Sequence, residues 1–274
     1  MCVRRLRIAF STFMTHNGRA IKTFSSWDGL EIAYQEWGET STPSPPVVLH
    51  HGFVADANSN WVASGIVRAL NAAGRMVIAP DARGHGNSEK PHDPSRYGEQ
   101  RMARDLEALL DVIGAPEIDL VGYSMGAVVA LIYASGGERV RRLVVGGVGS
   151  GVIECGGVDR RAVSNESIIE ALRADDPSTL ASSPAVAFRR LADALGSDRQ
   201  ALLAQAQSIF RGEIALARIT APTLILAGDA DPLALRPEVL VAAIPDATLR
   251  ILVGNHMQAV ADPDFASSIV EFLA

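Results

Sequence analysis

The sequence predicts an α/β protein with a mostly parallel sheet of about eight strands, helices on both faces, and a small helical cap inserted after the sixth strand. Short runs of consecutive apolar residues, typical of strands buried on both faces, alternate with helical periodicity through the first half of the chain. From residue 152 to residue 219 the sequence is instead rich in Ala and Leu, with helical spacing and no buried-strand run. Because the alternation then resumes, this stretch is interpreted as an insertion within one domain.

Residues 1–20 are predicted to be a disordered, basic tail. No acidic residue occurs before Trp27, whereas several basic residues do. A start without acidic residues resembles a transit peptide. A disordered tail, or a translation start at Met14, is the simpler interpretation and the one we favour.

The first part of the core is predicted to span residues 21–151. Two alternating runs, 20–24 and 30–37, flank Asp-Gly, which is a strong signal for a hairpin. Four buried strands are then predicted, each reached through a turn or a helix. They cover residues 46–50, 76–80, 118–121 and 142–146, with helices at about 60–73 and 100–113.

The helical cap, residues 152–219, is followed by the second part of the core, residues 220–274. Helices at 164–174, 184–195 and 198–210 are predicted in the cap. The second part of the core is predicted to contain strands at 222–228 and 248–253 and helices at 237–244 and 262–273.

Composition excludes several classes of function. The formal net charge is -6 and no basic stripe is visible, so nucleic acid is not an expected partner. No apolar run is long enough to span a bilayer. With only two cysteines the chain is expected to lack a disulfide framework and to be cytoplasmic. No cluster has the spacing of a metal site and nothing requires a cofactor, so neither is predicted. Nothing in the composition indicates an oligomeric state.

The clearest signal for chemistry is Gly-Tyr-Ser-Met-Gly at residues 122–126. It follows the apolar run 118–121 and opens into the apolar helix 128–134, so it spans a strand-to-helix turn. Gly122 and Gly126 leave room where the backbone crosses the helix, and the turn presents Ser124 at the end of the strand. Ser124 is therefore the predicted nucleophile.

A serine nucleophile needs a base and an orienting carboxylate, and both are found at predicted strand ends. His256 follows the strand 248–253, and Asp229 and Asp231 follow the strand 222–228. The carboxyl ends of parallel strands meet at one edge of a sheet, so these residues should converge on Ser124. Asp231 precedes a proline that would fix its loop, and Asp229 could cap the same turn. These features leave both aspartates as candidates for the acid.

With these motifs the chain resembles α/β-hydrolase-fold proteins from about residue 24 to its end. The residues that carry the resemblance are 51–53, 81–88, 122–126, 228–231 and 254–256. In that family the final residue of the Gly-x-x-Asp segment is the acid, which selects Asp231. The resemblance also places the oxyanion hole at the backbone amides of Phe53 and Met125, and it assigns His85 to the scaffold.

The resemblance implies a serine hydrolase that acts on a small-molecule ester-like substrate. Two residues are candidates for substrate binding. Trp61 opens the first predicted helix close to the loop of residues 51–53 and could line the pocket or merely pack, and Tyr123 lies between Gly122 and Ser124. Similar proteins use the same residues as C–C bond hydrolases, lactonases or cofactor-free perhydrolases. A non-catalytic, ligand-binding protein of this fold is the alternative from another class.

Overall fold

The computed structural model describes residues 12–14, 20–40, 43–180 and 183–274. Within these ranges nine strands form one sheet in the order β1-β2-β3-β5-β4-β6-β7-β8-β9. The strands are β1 Thr12–Met14, β2 Ala20–Ser25, β3 Glu31–Trp37, β4 Val47–His50, β5 Val77–Pro80, β6 Ile118–Tyr123, β7 Val140–Gly146, β8 Thr223–Gly228 and β9 Ala247–Leu252.

The sheet is mostly parallel, as predicted. β1, β2, β3 and β5 pair antiparallel in succession, and every pair from β5 through β4, β6, β7 and β8 to β9 is parallel. Strands β4, β5 and β6 are buried along their whole length, which explains why they are apolar on successive residues.

The ninth strand, β1, differs from the sequence prediction. Residues 12–14 were expected to belong to a disordered tail, but they pair with Ala20–Lys22 at the start of β2. The other residues of the predicted tail before Ala20, 1–11 and 15–19, lie outside the described residues.

Helices cover both faces of the sheet, again as predicted. Those described are α1 Ile66–Ala72, α2 Glu99–Ile113, α3 Met125–Gly136, α4 Gly151–Glu154, α5 Asn165–Arg173, α6 Val186–Ala194, α7 Arg199–Ala206, α8 Pro237–Ala243, α9 His256–Ala259 and α10 Pro263–Leu273. Residues of α2, α3 and α8 share one apolar core with one face of the sheet, and those of α1 and α10 share a second core with the other face.

The insertion between β7 and β8 is helical and has an apolar cluster of its own. Ser164 caps α5 and Asp198 caps α7 through side-chain oxygens that accept backbone amides of the first turn. The apolar faces of α5, α6 and α7 pack together with Phe53, Val54 and Leu233 from the core. These contacts hold the cap over the loops that follow β4 and β8. None of the helices in the described ranges is long and apolar enough to cross a membrane.

Candidate active site

Ser124 lies on a strained turn between β6 and α3. Its backbone has φ 55° and ψ −116°, outside the regions that a non-glycine residue normally occupies. A Cβ on Gly122 would overlap the carbonyl oxygen of Gly126, and a Cβ on Gly126 would overlap that of His50. The two glycines are therefore required by close backbone contact, as the sequence pattern indicated.

The structure brings Ser124, His256 and Asp231 together in one hydrogen-bonded series. His256 Nε2 lies 3.0 Å from Ser124 Oγ, and His256 Nδ1 lies 2.8 Å from Asp231 Oδ2. The side chain of Asp231 is buried and cannot donate when ionised, so Nδ1 carries the ring proton and Nε2 is free to accept from Ser124. All three residues are no more than 8% exposed.

Short-range contacts fix each partner of the series. Asp231 Oδ1 accepts from the Leu233 amide at 2.8 Å, which leaves Oδ2 for the histidine. His256 is the first residue of α9, whose preceding residue, Asn255, forms a capping box with Gln258. This short helix has no clear signal in the sequence, although it determines where the imidazole lies.

Asp229 bonds a backbone amide, although not the one in its own turn that the sequence suggested. Its Oδ1 accepts from the Gly254 amide at 2.8 Å and so ties the loop after β8 to the loop that carries His256. The geometry therefore separates the two aspartates, with Asp231 on the imidazole and Asp229 on the backbone.

The loop after β4 packs against Ser124. Gly52 lies against Ser124, with the position of a Cβ on Gly52 only 3.4 Å from Ser124 Cβ. His51 Nε2 accepts from the Ala82 amide at 2.9 Å, so Nδ1 is the protonated nitrogen and donates to the Gly52 carbonyl at 2.8 Å. A planar peptide points its C=O and N–H in opposite directions, so the Phe53 amide is directed away from the His51 ring.

Among the described residues, the Phe53 and Met125 amides have no hydrogen-bond acceptor. Met125 is the first residue of α3, where no preceding turn provides a carbonyl. Within the described ranges, no backbone hydrogen bond uses the Phe53 amide either. Unpaired backbone donors on the turn of Ser124 and on the loop packed against it are the kind of groups that stabilise a developing oxyanion.

Two buried histidines, His50 and His85, pack against residues of the loop that follows β4. Burial first, and the neighbouring His51 second, lower the pKa of His50 and of His85 to about 3. The rings of His85 and Phe53 pack edge to face, with 5.8 Å between their centroids. His85 thus supports the loop from inside the scaffold and does not touch Ser124.

Of the two predicted substrate-binding residues, the structure places one at the site. Trp61 is 0% exposed and packs in the core on the α1 and α10 side of the sheet, so the prediction that it lines the pocket is wrong. Its neighbours Asn60, Ala63 and Ser64 line the pocket instead, because they lie on the opposite side of the turn. Tyr123 lines the pocket too, but its hydroxyl donates to the His256 carbonyl and its ring packs on that imidazole.

Two pockets open on either side of Ser124. One lies beside His256 and is bounded by the loop after β4, the first turn before α1 and α9. The other lies beside Met125 under the cap. Phe53 and Phe188 contribute to both, so this pair of aromatic rings, 6.2 Å apart, separates the two spaces.

Three polar residues of the pocket under the cap had no signal in the sequence. Glu99, Arg160 and Asn165 come from the start of α2, the loop before α5 and the first residue of α5. They occur in no shared motif and meet only because the cap folds over the sheet. In the part of the chain that the structure describes, no group of His, Cys, Asp and Glu is placed to hold a metal ion.

Comparison with known proteins supports the α/β-hydrolase fold. A family model described as alpha/beta hydrolase fold matches residues 45–154. A non-heme haloperoxidase of Rhodococcus erythropolis is 29% identical over 86% of this chain and 93% of its own length. Epoxide hydrolase A of Mycobacterium tuberculosis is 40% identical, but over only 37% of this chain and 30% of the relative.

Several curated relatives are matched over only about a third of their own length. Among solved structures, a hydrolase from Pseudomonas aeruginosa superposes with a TM-score of 0.75 at 26% identity. That superposition covers 93% of this chain and 98% of the other.

Proposed function

Because the chain is an α/β-hydrolase-fold protein, we propose that it is a serine hydrolase that cleaves a carboxylic ester or a related acyl bond of a small to medium substrate. The observation that carries the proposal is the unbroken hydrogen-bonded series Ser124–His256–Asp231. A serine at this turn also argues against the epoxide hydrolase chemistry of similar proteins, which needs a carboxylate nucleophile.

The proposed reaction begins with proton transfer from Ser124 Oγ to His256 Nε2 as the oxygen attacks the carbonyl carbon. The oxyanion would accept from the Phe53 and Met125 amides, each worth about 3 kcal/mol in comparable sites. His256 then returns the proton to the leaving oxygen, and an acyl group remains on Ser124. Water, deprotonated by the same imidazole, releases the acid, while Asp231 stabilises the imidazolium at both steps.

The proposed proton transfer indicates which part of the substrate each pocket would hold. The leaving oxygen must lie within reach of His256, so the leaving group occupies the pocket that His256 lines. The acyl group then extends under the cap, beside Met125. The cavity volumes, about 70 Å³ under the cap and about 220 Å³ beside His256, support a substrate of small to medium size.

A second candidate is a perhydrolase that passes the same acyl group to hydrogen peroxide. It is favoured by the similarity to a haloperoxidase over nearly the whole length of both proteins. Formation of a peracid from a short-chain ester and hydrogen peroxide, measured beside hydrolysis, distinguishes the two. A peracid rate well above the hydrolysis rate would favour the perhydrolase.

The test compares the native protein with Ser124→Ala and His256→Ala, using a fluorophosphonate probe and p-nitrophenyl esters of graded chain length. We expect labelling and turnover in the native protein only, with a loss of at least ten-thousand-fold in kcat for either variant. The Asp231→Asn variant should lose roughly ten-thousand-fold, because the amide no longer favours the required imidazole tautomer.

Asp229→Asn provides a matched control two residues away. The amide oxygen can still accept from Gly254, so kcat should stay within a few-fold of the native value. Comparable losses in Asp229→Asn and Asp231→Asn would overturn the assignment of the acid. A well-folded native protein that neither reacts with the probe nor hydrolyses any ester would instead indicate a ligand-binding protein.

A further inference from the structure

The pocket under the cap, although mostly apolar, contains a buried acceptor without a partner. Asn165 is 5% exposed, and its Nδ2 donates to the Ala206 carbonyl at 2.7 Å. This bond orients the amide, and Oδ1 is left buried with no hydrogen-bond partner in the described chain. An unsatisfied acceptor of this kind costs free energy that a suitable ligand group would recover.

Arg160, which lines the same pocket, has a buried donor without a partner. Arg160 uses Nη2 to donate to the Cys155 carbonyl. Its Nη1 is buried and unpaired, and no carboxylate of the described residues lies within ion-pair distance of this guanidinium. Asp159, beside it in sequence, pairs with Arg161 instead.

The charges around these two atoms argue against an anionic ligand. The residues that line the pocket include Glu99, Asp159 and one arginine, Arg160. Glu99 is buried, accepts from the Phe210 amide at 2.6 Å, and has a pKa raised by its burial. Arg160 already interacts electrostatically with Glu99 and lowers the pKa of that carboxyl against the larger effect of burial, so a ligand carboxylate would compete with Glu99 for the guanidinium, whereas a neutral dipolar group would not.

We propose that the pocket under the cap selects a hydroxylated acyl group, whose hydroxyl oxygen accepts from Arg160 Nη1 and whose hydroxyl hydrogen is donated to Asn165 Oδ1. A hydroxyl is the smallest neutral group that satisfies one donor and one acceptor. The inference rests on the proposed function in one respect, because the occupant is an acyl group only if the protein forms an acyl-enzyme.

The test measures binding rather than turnover. Calorimetry with the Ser124→Ala protein would compare straight-chain methyl ketones with their ω-hydroxy and ω-carboxy counterparts over a range of chain lengths. At the matching length the ω-hydroxy ketone should bind roughly tenfold more tightly than the alkyl ketone. Without partners the order would be reversed, because a hydroxyl loses water when it enters an apolar pocket.

Second substitutions in Ser124→Ala identify the partners. Arg160→Met and Asn165→Ala should each remove most of the advantage of the ω-hydroxy ketone. Arg190→Met is the matched control, since Arg190 lies on the same cap, is exposed and is absent from the pocket wall. It should leave the advantage unchanged.

Three results would overturn the inference. They are equal or tighter binding of the alkyl ketone, tightest binding of the ω-carboxy ketone, and an advantage that survives both Arg160→Met and Asn165→Ala. Failure of the proposed function looks different. The native protein would then hydrolyse no ester, while Ser124→Ala still preferred the hydroxy ketone.

Discussion

His51 controls the direction of one peptide next to Ser124. Its ring donates to the Gly52 carbonyl and accepts from the Ala82 amide, so it joins the loop after β4 to the loop after β5. The Gly52 carbonyl and the Phe53 amide belong to the same rigid peptide. His51 therefore acts on the proposed oxyanion hole without touching the substrate.

We expect His51→Leu to lower kcat by roughly a hundredfold with little change in KM, since the loss of one oxyanion donor has an effect of that order. His51→Asn should retain more activity, because its side-chain amide can still donate to Gly52 in place of Nδ1. Steady-state kinetics at a temperature where circular dichroism shows both variants folded would check this. A folded His51→Leu protein with native kcat would contradict the role.

At the scale of residues, the sequence indicated the proposed catalytic groups but not all the residues that line the pockets. Ser124, Asp231 and His256 each follow a strand in a recognisable pattern, so their convergence could be predicted. Trp61 was assigned to the pocket because of its position in the chain. The direction of its side chain, however, depends on how the turn packs, and the side chain lies in the apolar core. Asn165 and Arg160 could not be found, because their surroundings exist only after the cap folds.

At the scale of elements, the entry into α3 depends on a close contact between two backbones. Gly126, in the first turn of α3, faces the carbonyls of His50 and His51 at the end of β4. The helix can begin directly beneath Ser124 only because no side chain intervenes.

We expect Gly126→Ala to destabilise the protein by about 3 kcal/mol or more, or to prevent folding, because the methyl group overlaps backbone atoms that cannot move independently. Gly136→Ala is the control at the other end of α3. A methyl group at Gly136 meets no other atom within 4 Å, so this change should be neutral or stabilise by up to about 1 kcal/mol. Urea unfolding of both variants measures the difference, and equal effects would refute the steric argument.

Most other elements could be predicted because hydrophobic periodicity reflects burial. The predicted helix over 60–73 is the clearest exception. It is divided into a π-helical turn, Asn58–Val62, and α1 by Gly65 at φ 82°. The apolar pattern continues across this break because both pieces pack on the same core. Strand β1 was missed because three residues are too few to show an alternating pattern.

At the scale of the whole molecule, buried neutral histidines connect stability to pH. His50 and His85 have pKa values of about 3 in the folded protein, against an ordinary value of 6.5. Between these values the unfolded chain binds protons that the folded chain does not. Their contribution to stability is therefore complete above pH 6.5 and is lost as the pH falls towards 3.

We expect each of these histidines to lower the free energy of unfolding by about 1.4 kcal/mol per pH unit below pH 6.5. His85→Asn, which keeps a donor for the Arg83 carbonyl, should remove one of the two contributions. Urea unfolding of the native protein and the variant at pH 7 and pH 5 isolates this effect, since the other groups are common to both. Parallel pH dependence in the two proteins would contradict the prediction.

The separation between the sheet and the cap has an evolutionary consequence. Ser124, Asp231 and His256 are held at strand ends, while Arg160 and Asn165 belong to the insertion between β7 and β8. If the proposed function holds, substitutions in the insertion alter which acyl groups fit without moving the proposed catalytic atoms at the strand ends. A chain built in this way would acquire new substrates by mutation of one segment, while the strand-end residues stay as they are.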